Sequence, residues 1–213
     1  MTNPGKARHV SSIAASYATI TAPPIDLSMR ELREFSEMKI EENQNAQETQ
    51  KLVKKYGKDN VVINSIRLNN NKISGWVNFI TSLRSMVEIT QIQWLDLSFN
   101  QLQTIEPTIG RLRGLVKLHL HANKISDILD VNKLVELENL RDLTLHGNPI
   151  EDRGRLKYRN YIISVLPNLN SLDFTSLTSR DKAIASSFCA NKSLKKTVFT
   201  DAERAEKKRD QEK

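Results

Sequence analysis

Histidines are the side chains in this sequence whose type and spacing come closest to a chemical site. His119 and His121 stand two residues apart, and His146 occupies the position of His121 in a later copy of the same local pattern. Three imidazoles on adjacent strands can bind zinc. The sequence provides no cysteine beside them and no converging pair of carboxylates, so we expect no metal and no other cofactor.

Other catalytic arrangements are also missing from the sequence. It contains no glycine-rich phosphate loop and no nucleophile elbow. The single cysteine, Cys189, excludes an internal disulfide and fits a reducing compartment. We therefore expect that the protein is not an enzyme and that it acts by binding.

The elements that must position the histidines are repeats of one pattern, leucine-x-x-leucine-x-leucine-x-x-asparagine-x-leucine, with isoleucine at some leucine positions. Four copies run over 63–73, 92–102, 115–125 and 140–150. Apolar and polar residues alternate in each copy, which indicates a strand. A fifth, eroded copy has Leu169, Leu172 and Phe174 in leucine positions and Leu177 in the asparagine position.

This pattern resembles the leucine-rich repeat family, and the resemblance implies an α/β fold. The expected architecture is a right-handed solenoid, with parallel strands on the concave face and helices and 3-10 turns on the convex face. The asparagines lie where the chain leaves each strand, and there a buried amide can pair with backbone groups. We predict a structural asparagine ladder of Asn71, Asn100, Asn123 and Asn148.

The segments that return from one strand to the next have patterns of their own. We predict a helix over 76–87, a shorter helix over 129–137, and an amphipathic helix over 152–166 that stops at Pro167. The segment that contains Pro107 and Gly110 predicts an irregular or 3-10 turn.

The end of the repeats carries a more specific signature, which resembles the C-terminal cap of leucine-rich repeat proteins. Its residues are Tyr158, Arg159, Leu166, Pro167, Leu169 and Asp173. The segments 23–28, 94–100 and 143–149 further resemble one group within the family. That closer resemblance implies a cytoplasmic, non-enzymatic protein that is a component of a ciliary or flagellar axoneme.

Composition and pattern divide the chain into four parts. They are a flexible N-terminal arm at 1–26, a helical N-terminal extension or cap at 27–60, the repeat domain with its cap at 61–177, and a helical, charged tail at 178–213. The net charge of +7 lies mainly in the tail. A basic tail can bind the acidic surface of a microtubule or a nucleic acid, but its interspersed glutamates favour a solvated helix.

Two helices are expected in the N-terminal extension. Apolar residues at every third position predict a helix from about Ser28, with Met29, Leu32, Phe35 and Met38 on one side. A second helix over 51–56 has Leu52, Val53 and Tyr56 to cover the open edge of the first repeat.

What remains for function is the strand surface that faces the concave side. Side chains between the strand leucines form rows across the repeats, and these rows make a surface for a protein partner. The predicted contact residues are Arg67, Trp94, Asp96, Lys117, His119, His121, Asp142, Thr144 and His146. Trp94 has two interpretations: an interface anchor, or an indole that lies flat against its neighbours, such as Lys117.

The strand surface predicts a protein–protein scaffold, and the closer resemblance implies that it belongs to a large cytoskeletal assembly such as the axoneme. The expected ligand is a helix or extended peptide of mixed charge, oriented in part by Asp96 and Asp142. Two alternatives stay open: a regulatory subunit that grips a cytoplasmic enzyme, and a ribonucleoprotein adaptor. We expect no membrane partner, no small-molecule substrate and no direct nucleic-acid binding, because the sequence has neither a long apolar run nor a basic aromatic platform.

Overall fold

The computed structural model describes residues 19–153 and 155–190, and its centre is one sheet of short strands. The strands are β1 (Ile20–Thr21), β2 (Ile25–Asp26), β3 (Val61–Val62), β4 (Ser65–Arg67), β5 (Trp94–Asp96), β6 (Lys117–His119), β7 (Asp142–Thr144), β8 (Ser171–Leu172) and β9 (Thr175–Ser176). The main sheet has the order β2-β4-β5-β6-β7-β8-β9, parallel up to β8, while β9 turns back as a hairpin. Strands β1 and β3 pair separately.

The register of the sheet aligns the strand leucines into one continuous core. Leu95 pairs with Leu118, and Leu118 pairs with Leu143. All three side chains are fully buried. Since no single turn can bury its own apolar face, this stacking is what stabilises each repeat. The predicted solenoid of parallel strands is confirmed.

The main sheet begins before the boundary that the sequence indicated for the repeat domain. Residues up to 26 were expected to form a flexible arm, but β2 joins the sheet and Ile25 pairs with Ile66. Ile25 is fully buried, so this strand is a further turn of the solenoid at its N-terminal end. Residues 1–18 of the predicted arm lie outside the described residues.

The helix predicted from Ser28 is wrong. Met29 and Glu31 have left-handed backbone, with φ of 58° and 61°, which interrupts any helix there. The Oδ1 of Asn71 accepts hydrogen bonds from the backbone N–H groups of Arg30 and Leu32, and this holds the chain in a turn. Short 3-10 helices follow at Phe35–Glu37 and Ile40–Glu42. The residues that the spacing placed inside are buried nevertheless: Leu32, Phe35 and Met38.

The N-terminal edge of the sheet is closed by a loop rather than by a helix. The N–H of Asp26 donates to Asn43 Oδ1 at 2.9 Å, and the N–H of Gln44 donates to the carbonyl of Asp26 at 3.0 Å. These bonds satisfy backbone groups that an open edge would expose. The predicted helix that follows is present as α1 (Ala46–Tyr56), but it has no buried side chain and does not take this role.

The return segments follow most of the predicted pattern. Helix α2 (Phe79–Met86) occupies the first long return, and a 3-10 helix occupies Pro107–Arg111. The predicted helix over 129–137 is a 3-10 helix at Ile128–Leu134. Further 3-10 helices are Lys58–Asn60, Ile89–Gln91 and Pro149–Arg153.

Two helices close the C-terminal end. Helix α3 (Arg155–Val165) stops before Pro167, as expected, and α4 (Ser179–Ala190) packs against it. Ala185 of α4 is fully buried, so this part of the predicted tail extends the cap. The rest of the tail, 191–213, lies outside the described residues. Among the helices in the described ranges, none has the length and apolar character that crossing a membrane requires.

Candidate functional site

The asparagines at the ends of the strands form a fully paired ladder. The Nδ2 of Asn123 donates to the carbonyls of Leu97 and Leu120 at 2.9 and 3.0 Å, and its Oδ1 accepts from the N–H of Leu102 at 3.0 Å. One side chain thus links its own repeat to the preceding one. Asn71, Asn100 and Asn148 make the equivalent bonds.

An aspartate takes over this role at the last turn. Asp173 Oδ1 accepts from the N–H groups of Leu145 and His146, at 2.7 and 3.0 Å, and its Oδ2 accepts from the Tyr158 hydroxyl at 2.8 Å. Burial, together with the charge and hydrogen bond of Asp173, raises the pKa of Tyr158 far above its ordinary value. The pattern put Leu177 in the asparagine position, but it is Asp173 that pairs with these backbone groups.

The other predicted cap residues are buried at the C-terminal end or contact α4. Leu166 and Leu169 are buried beneath α3, and Arg159 lies 3.9 Å from Asp181 of α4. The Pro167 carbonyl accepts a hydrogen bond from the Lys182 ammonium at 2.9 Å. These contacts join α4 to α3 and to the residues that follow α3.

The strand rows lie side by side as the spacing predicts. Ser65, Trp94, Lys117, Asp142 and Ser171 form one row, and Arg67, Asp96, His119 and Thr144 form the next. Between these rows and the β8–β9 hairpin lies an open cleft of about 570 Å3. Its aromatic walls are Trp94 at one end and Phe174 at the other.

Trp94 is half-buried, and its indole packs on Arg67 and His119 rather than on Lys117. The Arg67 guanidinium lies over its ring, 5.6 Å from the centroid, and His119 meets the ring edge-on at 6.0 Å. Lys117 instead pairs with Asp142 at 3.5 Å. The indole therefore forms one wall of the cleft while it is partly covered by Arg67.

Two of the predicted contact residues are not accessible to a partner. Asp96 and Thr144 are only 7% and 2% exposed. Asp96 Oδ1 accepts from the N–H and hydroxyl of Ser98, at 3.0 and 2.6 Å. Burial raises the pKa of Asp96, but hydrogen bonds from His119 and Ser98 together outweigh it, so the pKa lies below its ordinary value. Asp96 positions His119; it cannot orient a partner's basic residue.

The three histidines form one cluster, but not a metal site. His121 and His146 stack with ring centroids 4.7 Å apart and planes within 7°. His121 Nδ1 lies 2.8 Å from the Thr144 hydroxyl. Burial, then the charge of His146, lowers the pKa of His121. Among residues 19–153 and 155–190, no group of three metal-binding side chains is arranged to hold an ion.

Phe174 is the surface residue that sequence reasoning missed. The repeat pattern put it in an inward leucine position, yet it is 67% exposed. It lies with Asp173 at the turn of the β8–β9 hairpin, both with left-handed backbone, φ of 60° and 53°. Its ring centroid lies 5.7 Å from each of the three imidazoles: His119, His121 and His146.

The position of Phe174 is costly in the absence of a partner. A left-handed conformation costs a non-glycine residue about 1–2 kcal/mol, and an exposed ring gains little from burial. Phe99 is also exposed and left-handed, so what distinguishes Phe174 is that its ring lies against three histidines at the wall of the cleft. The leucine spacing carries no signal for it, because the exposure of Phe174 depends on the antiparallel pairing of Ser171 with Ser176.

Comparison with known proteins agrees with this architecture. A family model for the leucine-rich repeat matches residues 72–199. Leucine-rich repeat-containing protein 51 from Bos taurus and from Homo sapiens is 34% identical over 168 residues, which cover 78% of this chain and 85% of the relative. The crystal structure of the Drosophila melanogaster SNF/U2A′ complex contains a chain of similar fold. It superposes with a TM-score of 0.59 at 20% identity, covering 82% of this chain and 86% of that one.

Proposed function

Because this chain belongs to the leucine-rich repeat family, we propose that it is a non-enzymatic scaffold whose sheet face binds a segment of a partner protein. Leucine-rich repeat domains are protein-interaction modules, and their curved arrays present extended concave surfaces. At that surface, strands β4 to β7 are tied together by the ladder and the leucine core.

The observation that carries this proposal is the cleft between Trp94 and Phe174. Both walls are aromatic, and large aromatic side chains dominate the energetics of protein interfaces. Phe174 is held outside the core by Asp173, so its exposure is built into the cap. A partner that inserts an apolar side chain into the cleft would cover both rings.

We further propose that the assembly is a ciliary or flagellar axoneme in the cytoplasm. The support is the resemblance of segments 23–28, 94–100 and 143–149 to one group of the family, together with a similarity to leucine-rich repeat-containing protein 51 over most of both chains. The mechanism is docking on a preformed surface, with no covalent step.

Recovery of the native complex from ciliated cells tests the binding site. Phe174→Ala is expected to lose the partner while its melting temperature stays close to that of the unchanged protein, because the ring is outside the core. The matched control is Phe99→Ala: Phe99 is also exposed and left-handed, with φ of 53°, but it does not line the cleft. Full recovery of Phe174→Ala would contradict the cleft as the binding site.

Imaging of the tagged protein tests the location separately. The proposal predicts signal along the axoneme. Concentration in the nucleus would support the ribonucleoprotein adaptor instead. A diffuse cytoplasmic signal, with co-recovery of a phosphatase, would support the regulatory subunit.

A further inference from the structure

Two buried hydrogen-bond donors beside the cleft lack a partner within the described residues. They are Trp94 Nε1 and Arg67 Nε. The contrast with Trp76 is direct, because its Nε1 donates to the Thr104 carbonyl at 2.8 Å. An unpaired buried donor costs free energy, and most native donors are paired. The pair therefore marks a place where an acceptor from outside the chain would be stabilising.

The two donors belong to neighbouring side chains that can move. Arg67 is on β4 and Trp94 on β5, directly paired in register with Asp96 and Ser65 respectively. The Arg67 guanidinium covers the indole and is held by a single ion pair to Asp26, at 3.4 Å. The Arg67 side chain is 43% exposed, so an incoming anion can draw it off the ring.

The two cations at this end of the cleft are more exposed than the carboxylates that neighbour them, so they can meet an anion from solvent. Lys117 is 55% exposed, and with Arg67 it presents positive charge to solvent. The carboxylates of Asp26 and Asp96 have only 11% and 10% of their side chains exposed, and both accept hydrogen bonds from nearby serines. Asp142, 31% exposed and paired with Lys117, is the acidic group that faces the cleft more openly.

We propose that the Arg67–Trp94 end of the cleft binds a glutamate or aspartate side chain of the partner, while the Phe174 end takes an apolar residue. The carboxylate would accept from Trp94 Nε1 and Arg67 Nε and lie near Lys117. This inference rests on the proposed function, and it adds the chemistry and the polarity of the ligand.

The distance between the two ends sets the spacing in the ligand. The rings of Trp94 and Phe174 both contact His119, with centroids 6.0 and 5.7 Å from its ring, so the two ends are at most about 12 Å apart. An extended chain covers that distance in about four residues. The partner segment is therefore expected to carry an acidic and an apolar residue about four positions apart.

The two tryptophans allow a direct test by nuclear magnetic resonance of the full chain. The probe is a nonapeptide, blocked at both ends, with a central glutamate, a leucine at each terminus and serines between them. Leucines on both sides make the result independent of chain direction. The Trp94 indole N–H signal is expected to shift saturably, while the Trp76 signal stays fixed because that donor is already paired.

Matched peptides and one protein variant test separately the charge of the glutamate, the Arg67 Nε donor and the position of the carboxylate in the peptide. The glutamine version of the peptide should bind about fivefold more weakly or not at all, since it lacks the charge. Arg67→Lys keeps the positive charge but removes the Nε donor and should weaken the glutamate peptide by about fivefold. A peptide whose only carboxylate is at its C-terminus tests whether the site prefers a chain end to a glutamate side chain.

Several results would overturn the inference. They are an unmoved Trp94 signal, equal shifts with glutamate and glutamine, and tighter binding of the C-terminal carboxylate. If Phe174→Ala still abolishes recovery of the native complex, the sheet face remains the binding site and only its acidic specificity is wrong. If recovery is also unaffected, the proposed function fails as well.

Discussion

The asparagine ladder and the Trp94–Phe174 cleft are built by the same repeats, but they differ in whether their buried polar groups have hydrogen-bond partners. In the ladder, the amide of Asn123 pairs on both its nitrogen and its oxygen. In the cleft, Trp94 Nε1 has no partner within the described residues. At the other end of the cleft, Phe174 is exposed on left-handed backbone. The same set of repeats therefore contains positions whose hydrogen bonds are complete within the chain and positions where they are not.

This difference separates residues that stabilise the fold from residues available for binding within one sheet. A side chain whose hydrogen bonds are all internal contributes to folding, and its loss leaves buried groups unpaired. A side chain with exposed apolar area and an unpaired donor contributes little to folding and gains most when a partner covers it. Variants in the two regions should therefore fail in different assays.

The largest expected effect is on folding, from the ladder. Asn123→Ala removes bonds to three buried backbone groups and should lower the free energy of unfolding by roughly 2–4 kcal/mol. Urea unfolding measures the change. The control is Asn170→Ala, at an exposed asparagine whose backbone carbonyl, not its side chain, is bonded to Leu177. Equal midpoints for the two variants would show that the ladder is not structural.

The next largest effect is expected at Asp173, which belongs to both regions. Its carboxylate accepts backbone hydrogen bonds as the ladder asparagines do, and it directly precedes Phe174 in the hairpin turn. Asp173→Ala removes acceptors from Leu145, His146 and Tyr158, and should cost about 2 kcal/mol of stability. It should also reduce partner recovery at a temperature where the protein is folded. Asp142→Ala, at an exposed ion pair on the same face, should cost less than about 1 kcal/mol. A variant of Asp173 that loses stability but keeps full recovery would separate the hairpin from binding.

The ladder and the strand rows of the cleft were predictable from sequence, and the Phe174 wall of the cleft was not, for a physical reason. The asparagine position follows from local spacing, because the bend after each strand recurs at the same point of every repeat. Phe174 depends instead on a hairpin that forms only when Ser171 pairs with Ser176. Its position in the leucine spacing indicated the core and was wrong.

Two other errors have the same origin. The spacing of Leu32, Phe35 and Met38 predicted correctly that they are buried but assigned a helix, because it could not show that Asn71 holds the preceding residues in a turn. Asp96 was assigned to the partner surface because its strand position faces that side. Its carboxylate turns back to Ser98, a local bond that the repeat pattern does not encode.

A smaller effect is expected from pH at the histidine cluster between the two regions. Burial lowers the pKa of His121 below its ordinary value of 6.5, so the folded state binds fewer protons at this site than the unfolded state. Above pH 6.5, protonation of His121 therefore has no effect on the free energy of unfolding. As pH falls below 6.5, the unfolded state takes up the proton more readily, and the fold loses stability. The loss of urea midpoint between about pH 7.5 and pH 5.5 should be smaller for His121→Gln than for the unchanged protein. Identical losses would contradict a lowered pKa.

The smallest expected effect on folding, and the most direct test of the central claim, comes from Phe174→Gly. Glycine relieves left-handed strain of about 1–2 kcal/mol, but it adds backbone freedom to the unfolded chain, which costs about 0.5–1 kcal/mol. It also loses the contacts of the ring with the three imidazoles, about 0.5–1.5 kcal/mol, so the net change in folding free energy is expected to be small. The measurement pairs the urea midpoint with recovery of the native complex, beside Asn123→Ala. The account predicts an unchanged midpoint with lost recovery for Phe174→Gly, and a lowered midpoint with retained recovery of the folded fraction for Asn123→Ala. Full recovery of Phe174→Gly, or a collapse of its midpoint, would contradict the account.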